Sequence, residues 1–368
     1  MGLEIRELGT VSGLPWTLYA GSRLDVFTAL GRDQAFAIRA ARDMADGSWA
    51  VNRRRAARAD VAPLLHRVEA STRILLPVES AELDAIAAGA GLPTRDLWAY
   101  NLRGDLGRDG TGCSDLCRLI PGGVVFGHNE DGGPSQAGTM QLLTLLIEGD
   151  PAVTALWYPG MLPANACTVT GAGLAFGMDH VPIPTPDTGG VGRHFLARHA
   201  QRQSDADSAL EALRETPAAG GFSFDVADLT AGTGTVLEAA AGRHAEVVAA
   251  RDRTLRHTNH LHLLDGPGLT VQDTDPSIRE SRARGAALDA AATRVPAGAG
   301  PVETLHALRS PGVLGRDADR YTLATVVVDS ATGTILVQGE GGPETARLGD
   351  VLLGAPDAFS PLTEGSPA

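Results

Sequence analysis

Lysine is absent from this chain, and all 31 basic residues are arginine. Together with 45 glycines and abundant alanine, that bias reads as codon usage and says little about function. Other scarcities exclude more. Cysteine occurs only as Cys113, Cys117 and Cys167, an odd set that fits no disulfide framework, so a reducing compartment and at least one free thiol are expected. No cluster of bases offsets a formal charge of -13, which argues against nucleic acid or anionic lipid as partners. Arg53-Arg54-Arg55, with Arg58 one turn later, reads as a solvated helix face. The apolar runs, such as 140–147, stop far short of the roughly 20 residues that a bilayer helix needs. The first residues carry acids and an arginine rather than a basic start, an apolar stretch and a small-residue cleavage site. A cytoplasmic protein with no membrane partner is expected, and a homo-oligomer stays open.

Motif scarcity narrows the chemistry. There is no P-loop and no Gly-x-Ser-x-Gly elbow. Gly171-Ala172-Gly173-Leu174-Ala175-Phe176-Gly177 has its third glycine one residue late for a dinucleotide loop, and no helix is predicted after it. His257, His260 and His262 lack an acidic or cysteine ligand at a usual spacing, so neither metal nor other cofactor is expected. What is present, 43% hydrophobic residues over 368 positions, suffices for a large core without staples.

Along the chain, apolar residues recur at three- and four-residue spacing over 33–45 and 61–75, so the first third reads as helical. Capped helix starts are expected at Ser80 and Thr94, with a stop at Gly89-Ala90-Gly91-Leu92-Pro93 between them. Residues 103–112 read as an exposed loop of Gly, Asp and Arg. Short strands follow at 113–120, 124–127, 140–148, 153–158, 167–170 and 174–178, the first two as a hairpin about Pro121-Gly122-Gly123. Helices are predicted at 191–203 and 205–214, strands at 223–229, 234–240 and 245–249, and a helix at 277–292. Strands at 322–329 and 334–338 close the pattern, ahead of a flexible tail over 354–368. Strand blocks separated by helices predict layered α+β packing.

The residues that carry chemistry begin with Thr111-Gly112-Cys113-Ser114, where the loop enters a strand. On the second strand of the hairpin stands Gly127-His128-Asn129-Glu130-Asp131-Gly132, and much later His257-Thr258-Asn259-His260 and Ser277-Ile278-Arg279-Glu280-Ser281-Arg282. In this order the motifs resemble the Cys-type N-terminal nucleophile hydrolases that include acyl-CoA:6-aminopenicillanic acid acyltransferase, with penicillin V acylases and bile salt hydrolases as more distant cousins. The resemblance spans roughly 36–342. It implies a four-layer αββα sandwich, a helical pro-segment over 1–112 that becomes one chain, and a catalytic core over 113–353 that becomes the other.

The resemblance also implies cleavage between Gly112 and Cys113. Cys113 becomes the nucleophile, and its new α-amine, with an ordinary pKa of about 7.7 to 8.0, the base. Asp131 matches the carboxylate that fixes this amine, Asn259 the oxyanion-hole amide, and Arg279 or Arg282 the arginine near the nucleophile. Asp179 stands where the family has Asn, beside the substrate pocket, and His128 where it has Gln or Arg. The expected substrate is a small N-acyl or aminoacyl amide, cleaved by water, with transfer of the acyl group to an amine as the alternative. A ligand-binding protein of the same fold without catalysis is the reading from another class.

Overall fold

The computed structural model describes residues 2–45, 47–106, 112–164, 166–250 and 253–363. The chain opens on a hairpin, not a helix: β1 (Glu4–Val11) and β2 (Leu14–Gly21) pair antiparallel, with Val11 opposite Leu14. The two residues between them, Ser12 (φ 49°) and Gly13 (φ 87°), both have left-handed backbone, the turn whose twist suits a tight hairpin. The helical reading of the first third therefore begins only after β2. Nearly every β2 residue is buried, so it shows no polar alternation in the sequence.

Six helices follow: α1 (Arg23–Asp33), α2 (Ala35–Asp43), α3 (Ser48–Ala56), α4 (Ala62–Leu75), α5 (Pro77–Ala90) and α6 (Thr94–Asn101). The cap expected at Ser80 lies inside α5, because Pro77 opens that helix a turn earlier. The helix stops at Gly91, left-handed at φ 62°. Helices α1 and α5 cross in close contact where both present glycine. A Cβ on Gly31 would lie 2.2 Å from the Ile86 carbonyl oxygen, and one on Gly89 2.1 Å from that of Thr28. Arg53 and Arg54, expected on a solvated face, line a cavity of about 700 Å³ with Leu65, Trp98 and Leu102. Of the loop expected over 103–112, residues 107–111 lie outside the described residues. Arg103, Asp105 and Leu106 before them are buried rather than exposed.

Next come β3 (Ser114–Ile120), β4 (Gly123–Gly132), β5 (Gln141–Ile147), β6 (Val153–Trp157), β7 (Thr168–Thr170) and β8 (Leu174–Val181). Helices α7 (Arg193–Gln201) and α8 (Ala206–Glu215) lead to β9 (Gly221–Asp228), β10 (Thr233–Ala240), β11 (Arg243–Val248) and β12 (Leu255–His257). After α9 (Pro276–Thr293) and α10 (Pro301–Leu308), the chain ends with β13 (Tyr321–Asp329), β14 (Thr334–Gln338), β15 (Glu344–Arg347), α11 (Leu348–Leu352) and β16 (Ser360–Pro361). The tail after 353 is docked where it is described, since β16 pairs with β15 and Phe359 packs edge-on against Trp16.

Among the described residues the strands form two sheets, a nine-stranded one in the order β1-β2-β5-β6-β7-β8-β9-β10-β11 and a seven-stranded one in the order β12-β3-β4-β13-β14-β15-β16. Helices α1, α7 and α8 pack on the outside of the first sheet, and α10 on the outside of the second. Strands β3 and β4 of the second sheet face β8, β9 and β10 of the first. This is the αββα layering that the resemblance implies. Alternation sorts each central strand between two cores. On β4, Phe126 belongs to the core between the sheets, while Val125 joins Leu288, Leu305 and Leu308 beneath α9 and α10. Among the described residues no helix is long and apolar enough to cross a membrane.

Candidate active site

Strands β3 and β4 set the site. Ile120 pairs with Gly123 across Pro121-Gly122, where Gly122 has φ 85°, as a turn with Pro in its second and Gly in its third position requires. This fixes the register that puts Asp115 opposite His128 and Ser114 opposite Asn129. Continued by one residue, it brings Cys113 against Glu130. The strand β4 runs on through 128–132, so the polar cluster lies within the strand rather than ending it.

On the face toward the other sheet, the Cys113 thiol, a His128 ring nitrogen and a Glu130 carboxylate oxygen lie within 4.8 Å of one another, all buried. His128 bonds Asp115 Oδ1 through Nδ1 (2.8 Å) and Glu130 Oε2 through Nε2 (3.0 Å). Tyr158 donates to the second Glu130 oxygen at 2.8 Å. Burial alone would lower the pKa of His128, but Asp115, Cys113 and Glu130 raise it well above its ordinary value, so the ring is an imidazolium donating through both nitrogens. Burial, and next the charge of Glu130, push the Cys113 thiol up to about 12, against the pull of His128. The thiol of the intact chain is therefore protonated.

The opposite face of the same strands holds a second constellation. Arg284 is buried and donates through Nη1 to the Cys113 carbonyl oxygen and to Ser114 Oγ (3.0 Å). Its Nη2 donates to Asn259 Oδ1 at 2.6 Å, and Glu280 closes the other side of the guanidinium at 3.0 Å. Asn259, oriented in this way, donates through Nδ2 to the His180 carbonyl oxygen at 2.8 Å. Gly112 lies directly against the pair, for a Cβ there would sit 2.2 Å from Arg284 Nη2 and 2.7 Å from Asn259 Oδ1. Asp131 is buried, and Arg320 donates to its Oδ2 at 2.6 Å. Its Oδ1 is buried without a hydrogen-bond partner among the described residues. Burial raises the Asp131 pKa, opposed by Arg320 and Arg284.

The structure thus gathers Gly112, Cys113, Asn259 and His128 around the Gly112–Cys113 junction, with Asp131 two residues beyond Asn129 on β4. It does not bring Arg279 or Arg282 there. Arg279 is exposed, and Arg282 pairs with Asp273 at 2.9 Å on the surface. The arginine beside the nucleophile is Arg284. It shares the buried stripe of α9 with Ile278, Ser281 and Leu288, a three- and four-residue spacing that marks the inward face and could have identified it.

His128 and Asp179, expected toward substrate, are both fully buried between the sheets. Asp179 accepts from His257 Nδ1 (3.0 Å), and His257 Nε2 donates to Glu238 Oε1 (3.0 Å). Burial would lower the His257 pKa, but Asp179 and Glu238 push it up to about 10. Burial likewise pushes the Asp115 carboxyl up to about 7, against the pull of His128. Sequence reasoning passed over Asp115, Asp225 and Glu238. Their one signal is a charge on the inward side of otherwise apolar strands.

A sequence profile of the acyl-coenzyme A:6-aminopenicillanic acid acyl-transferase family matches residues 119–337, more than half of the chain. The chain belongs to this family. The match begins just beyond Cys113, so the acyl-transferase family is established by the sandwich rather than by the nucleophile segment. Membership places the protein in a family named for acyl transfer. No curated relative matches. Among solved structures, penicillin V acylase from Agrobacterium tumefaciens is similar with a TM-score of 0.41 and 12% identity, over 64% of this chain and 91% of that one. Two variants of conjugated bile acid hydrolase from Clostridium perfringens give TM-scores of 0.40 and 0.42 at 14% identity, over 69% of this chain and 97% of theirs.

Proposed function

We propose that this acyl-transferase family member is a self-processing amidohydrolase whose nucleophile is Cys113, freed as a new N-terminus by cleavage after Gly112. The observation that carries the reading is the seating of the Gly112–Cys113 junction against the buried Arg284–Asn259 pair. In the precursor, the thiol attacks the Gly112 carbonyl carbon, the C–N bond to Cys113 breaks, and the acyl group passes from nitrogen to sulfur while the nitrogen takes a proton. Water then hydrolyses the thioester, leaving Gly112 as a carboxylate and Cys113 with a free thiol and a free amine.

In the processed enzyme the α-amine accepts the thiol proton as sulfur attacks the substrate carbonyl. The second N–H of the Asn259 side-chain amide serves the developing oxyanion, a contribution worth roughly 3 kcal/mol where such donors have been removed from other enzymes. The ammonium gives its proton to the departing amine, and water or an acceptor amine resolves the acyl-thioester. The unpartnered Asp131 Oδ1 supports a role in holding the new ammonium. The substrate class remains a small N-acyl or aminoacyl amide.

Denaturing electrophoresis with N-terminal sequencing tests the cut. The wild type should give a fragment beginning at Cys113, and Cys113→Ala a single chain. A folded wild type that stays one chain and turns over no acyl substrate refutes the proposal. For the reaction, an N-acyl amide panel with and without acceptor amines separates hydrolysis from transfer. The two pieces should stay together after the cut, because β2 pairs in parallel with β5 and Arg23 bridges to Asp150 at 2.6 Å across them.

A further inference from the structure

Beneath the nucleophile, the space between the sheets contains a second constellation that the acyl-transfer chemistry does not use. Asp115 on β3, Asp179 on β8 and Asp225 on β9 each offer a carboxylate oxygen within 4.8 Å of the other two. All three side chains are buried, Asp115 and Asp179 completely. The strands aim them at one another: Gly177 lies opposite Asp225 in the β8–β9 register, and a Cβ on Gly177 would fall 2.1 Å from Asp115 Oδ1, so only glycine admits that carboxylate between the sheets.

Three of the six oxygens are satisfied, by His128 on Asp115, by His257 on Asp179 and by the Ser223 hydroxyl on Asp225 (2.6 Å). Asp115 Oδ2 and Asp179 Oδ1 are buried with no partner among the described residues. Among the described residues no arginine hydrogen-bonds any of the three carboxylates, and the arginine charge that reaches them is that of Arg284, felt by Asp179.

His128 and His257 are each already shared between two carboxylates, Asp115 with Glu130 and Asp179 with Glu238, so neither is left to serve Asp225 or the two unpartnered oxygens. Three oxygens mutually within 4.8 Å share a point within about 2.8 Å of each, a small contraction away from the roughly 2.3–2.6 Å at which oxygen ligands hold calcium.

We propose that Asp115, Asp179 and Asp225 bind a hard divalent cation of calcium size, with Asp115 Oδ2 and Asp179 Oδ1 among its ligands. The ion cross-links β3 of one sheet to β8 and β9 of the other, two residues along the chain from Cys113. Its chemistry is that of oxygen ligands, distinct from the thiol, imidazole and carboxylate set at Cys113, His128 and Glu130, which would favour a softer metal.

The test uses the full chain, unfolded in EDTA and refolded with Ca²⁺, Mg²⁺ or Mn²⁺ in turn, followed by elemental analysis and thermal unfolding. About one ion per chain and a rise in midpoint of at least about 3 °C with the preferred ion are expected. Both should vanish in Asp225→Asn and persist in Cys113→Ala. Wild type that refolds without metal, with the same midpoint in every cation, overturns the site and leaves protons shared among the carboxyls as the balance. Binding lost in Cys113→Ala, or kept in Asp225→Asn, overturns it by placing the ion elsewhere. Wild-type metal content decides even where Asp225→Asn does not fold. The self-cleavage reading is unaffected, since its readout is the fragment beginning at Cys113.

Discussion

Gly112→Ala adds one methyl group at the junction where the chain is proposed to cut. Its carbon would lie 2.2 Å from Nη2 and 2.8 Å from Cζ of Arg284, and 2.7 Å from Oδ1 of Asn259, all inside the 3.0 Å that real Cβ atoms keep. The clash is with the end of a side chain, but this end has nowhere to go. It is bonded at once to the Cys113 carbonyl, Ser114, Asn259 and Glu280. The junction or the Arg284–Asn259 pair must therefore move by close to 1 Å. Overpacking of this kind costs about 1–3 kcal/mol, and a 1 Å misplacement of reacting groups slows a reaction by roughly 10²-fold. Urea unfolding of the Cys113→Ala background, with and without Gly112→Ala, reads the first. The rate at which the fragment beginning at Cys113 accumulates reads the second. Gly342→Ala, where nothing lies within 4 Å, is the control and should be silent in both. If Gly112→Ala is cut at the wild-type rate with unchanged stability, the junction does not sit against Arg284 and Asn259.

Arg284→Ala strips four partners of a buried cation and should lower stability by about 3–5 kcal/mol and halt processing, whereas exposed Arg279→Ala should stay within about 0.5 kcal/mol of wild type; urea unfolding and the fragment gel check both. Gly89→Ala drives a methyl into the Thr28 carbonyl at 2.1 Å, and a loss of at least about 1 kcal/mol in urea unfolding is expected with the site untouched. Burial, and then His262, hold the His260 pKa down at about 3 from 6.5, with Ser281 Oγ 2.8 Å from its Nδ1. The unfolded chain therefore binds the proton first, so this contribution is complete above pH 6.5 and is lost as pH falls toward about 3. His260→Gln should flatten the pH dependence of the unfolding free energy in that window, and an unchanged slope would refute it.

Much of the architecture is legible before the structure, because the central strands carry long apolar runs between clear turns. Strands 113–120, 153–158 and 322–329 fall within a residue or so of β3, β6 and β13. Buried β2 lacks alternation, β1 is an exposed edge strand, and β12 and β15 span three and four residues, so none of the four is legible. Local sequence places Cys113, but a partner 171 positions away is set by tertiary packing. Arg279 and Arg282 were chosen by motif position, and helix phase decides for Arg284. The acids Asp115, Asp225 and Glu238 were hidden for a related reason. Each is ordinary alone, and only the facing of two sheets makes them a cluster.

The electrostatics of that cluster bear on why the intact chain is inert. In the uncut state the Cys113 nitrogen is an amide, and burial and Glu130 hold the thiol up at about 12. The proposed cut puts a positive charge on the residue that carries the thiol while its α-amine is protonated, and a matching negative charge on the new Gly112 carboxylate. A unit charge about 4 Å away in a medium of effective dielectric near 20 is worth about 4 kcal/mol, or roughly 3 pKa units. That would bring the thiol from about 12 to about 9, roughly one unit above the ordinary value of its own α-amine. Cleavage would then do more than uncover a base, because it offsets the carboxylate that silences the sulfur. Alkylation of Cys113 followed against pH should show the thiol titrating about 3 units lower in processed enzyme than in Gly112→Ala chain isolated before its slowed cut. Equal titration in the two forms would mean that Glu130, not the missing amine, sets the reactivity throughout.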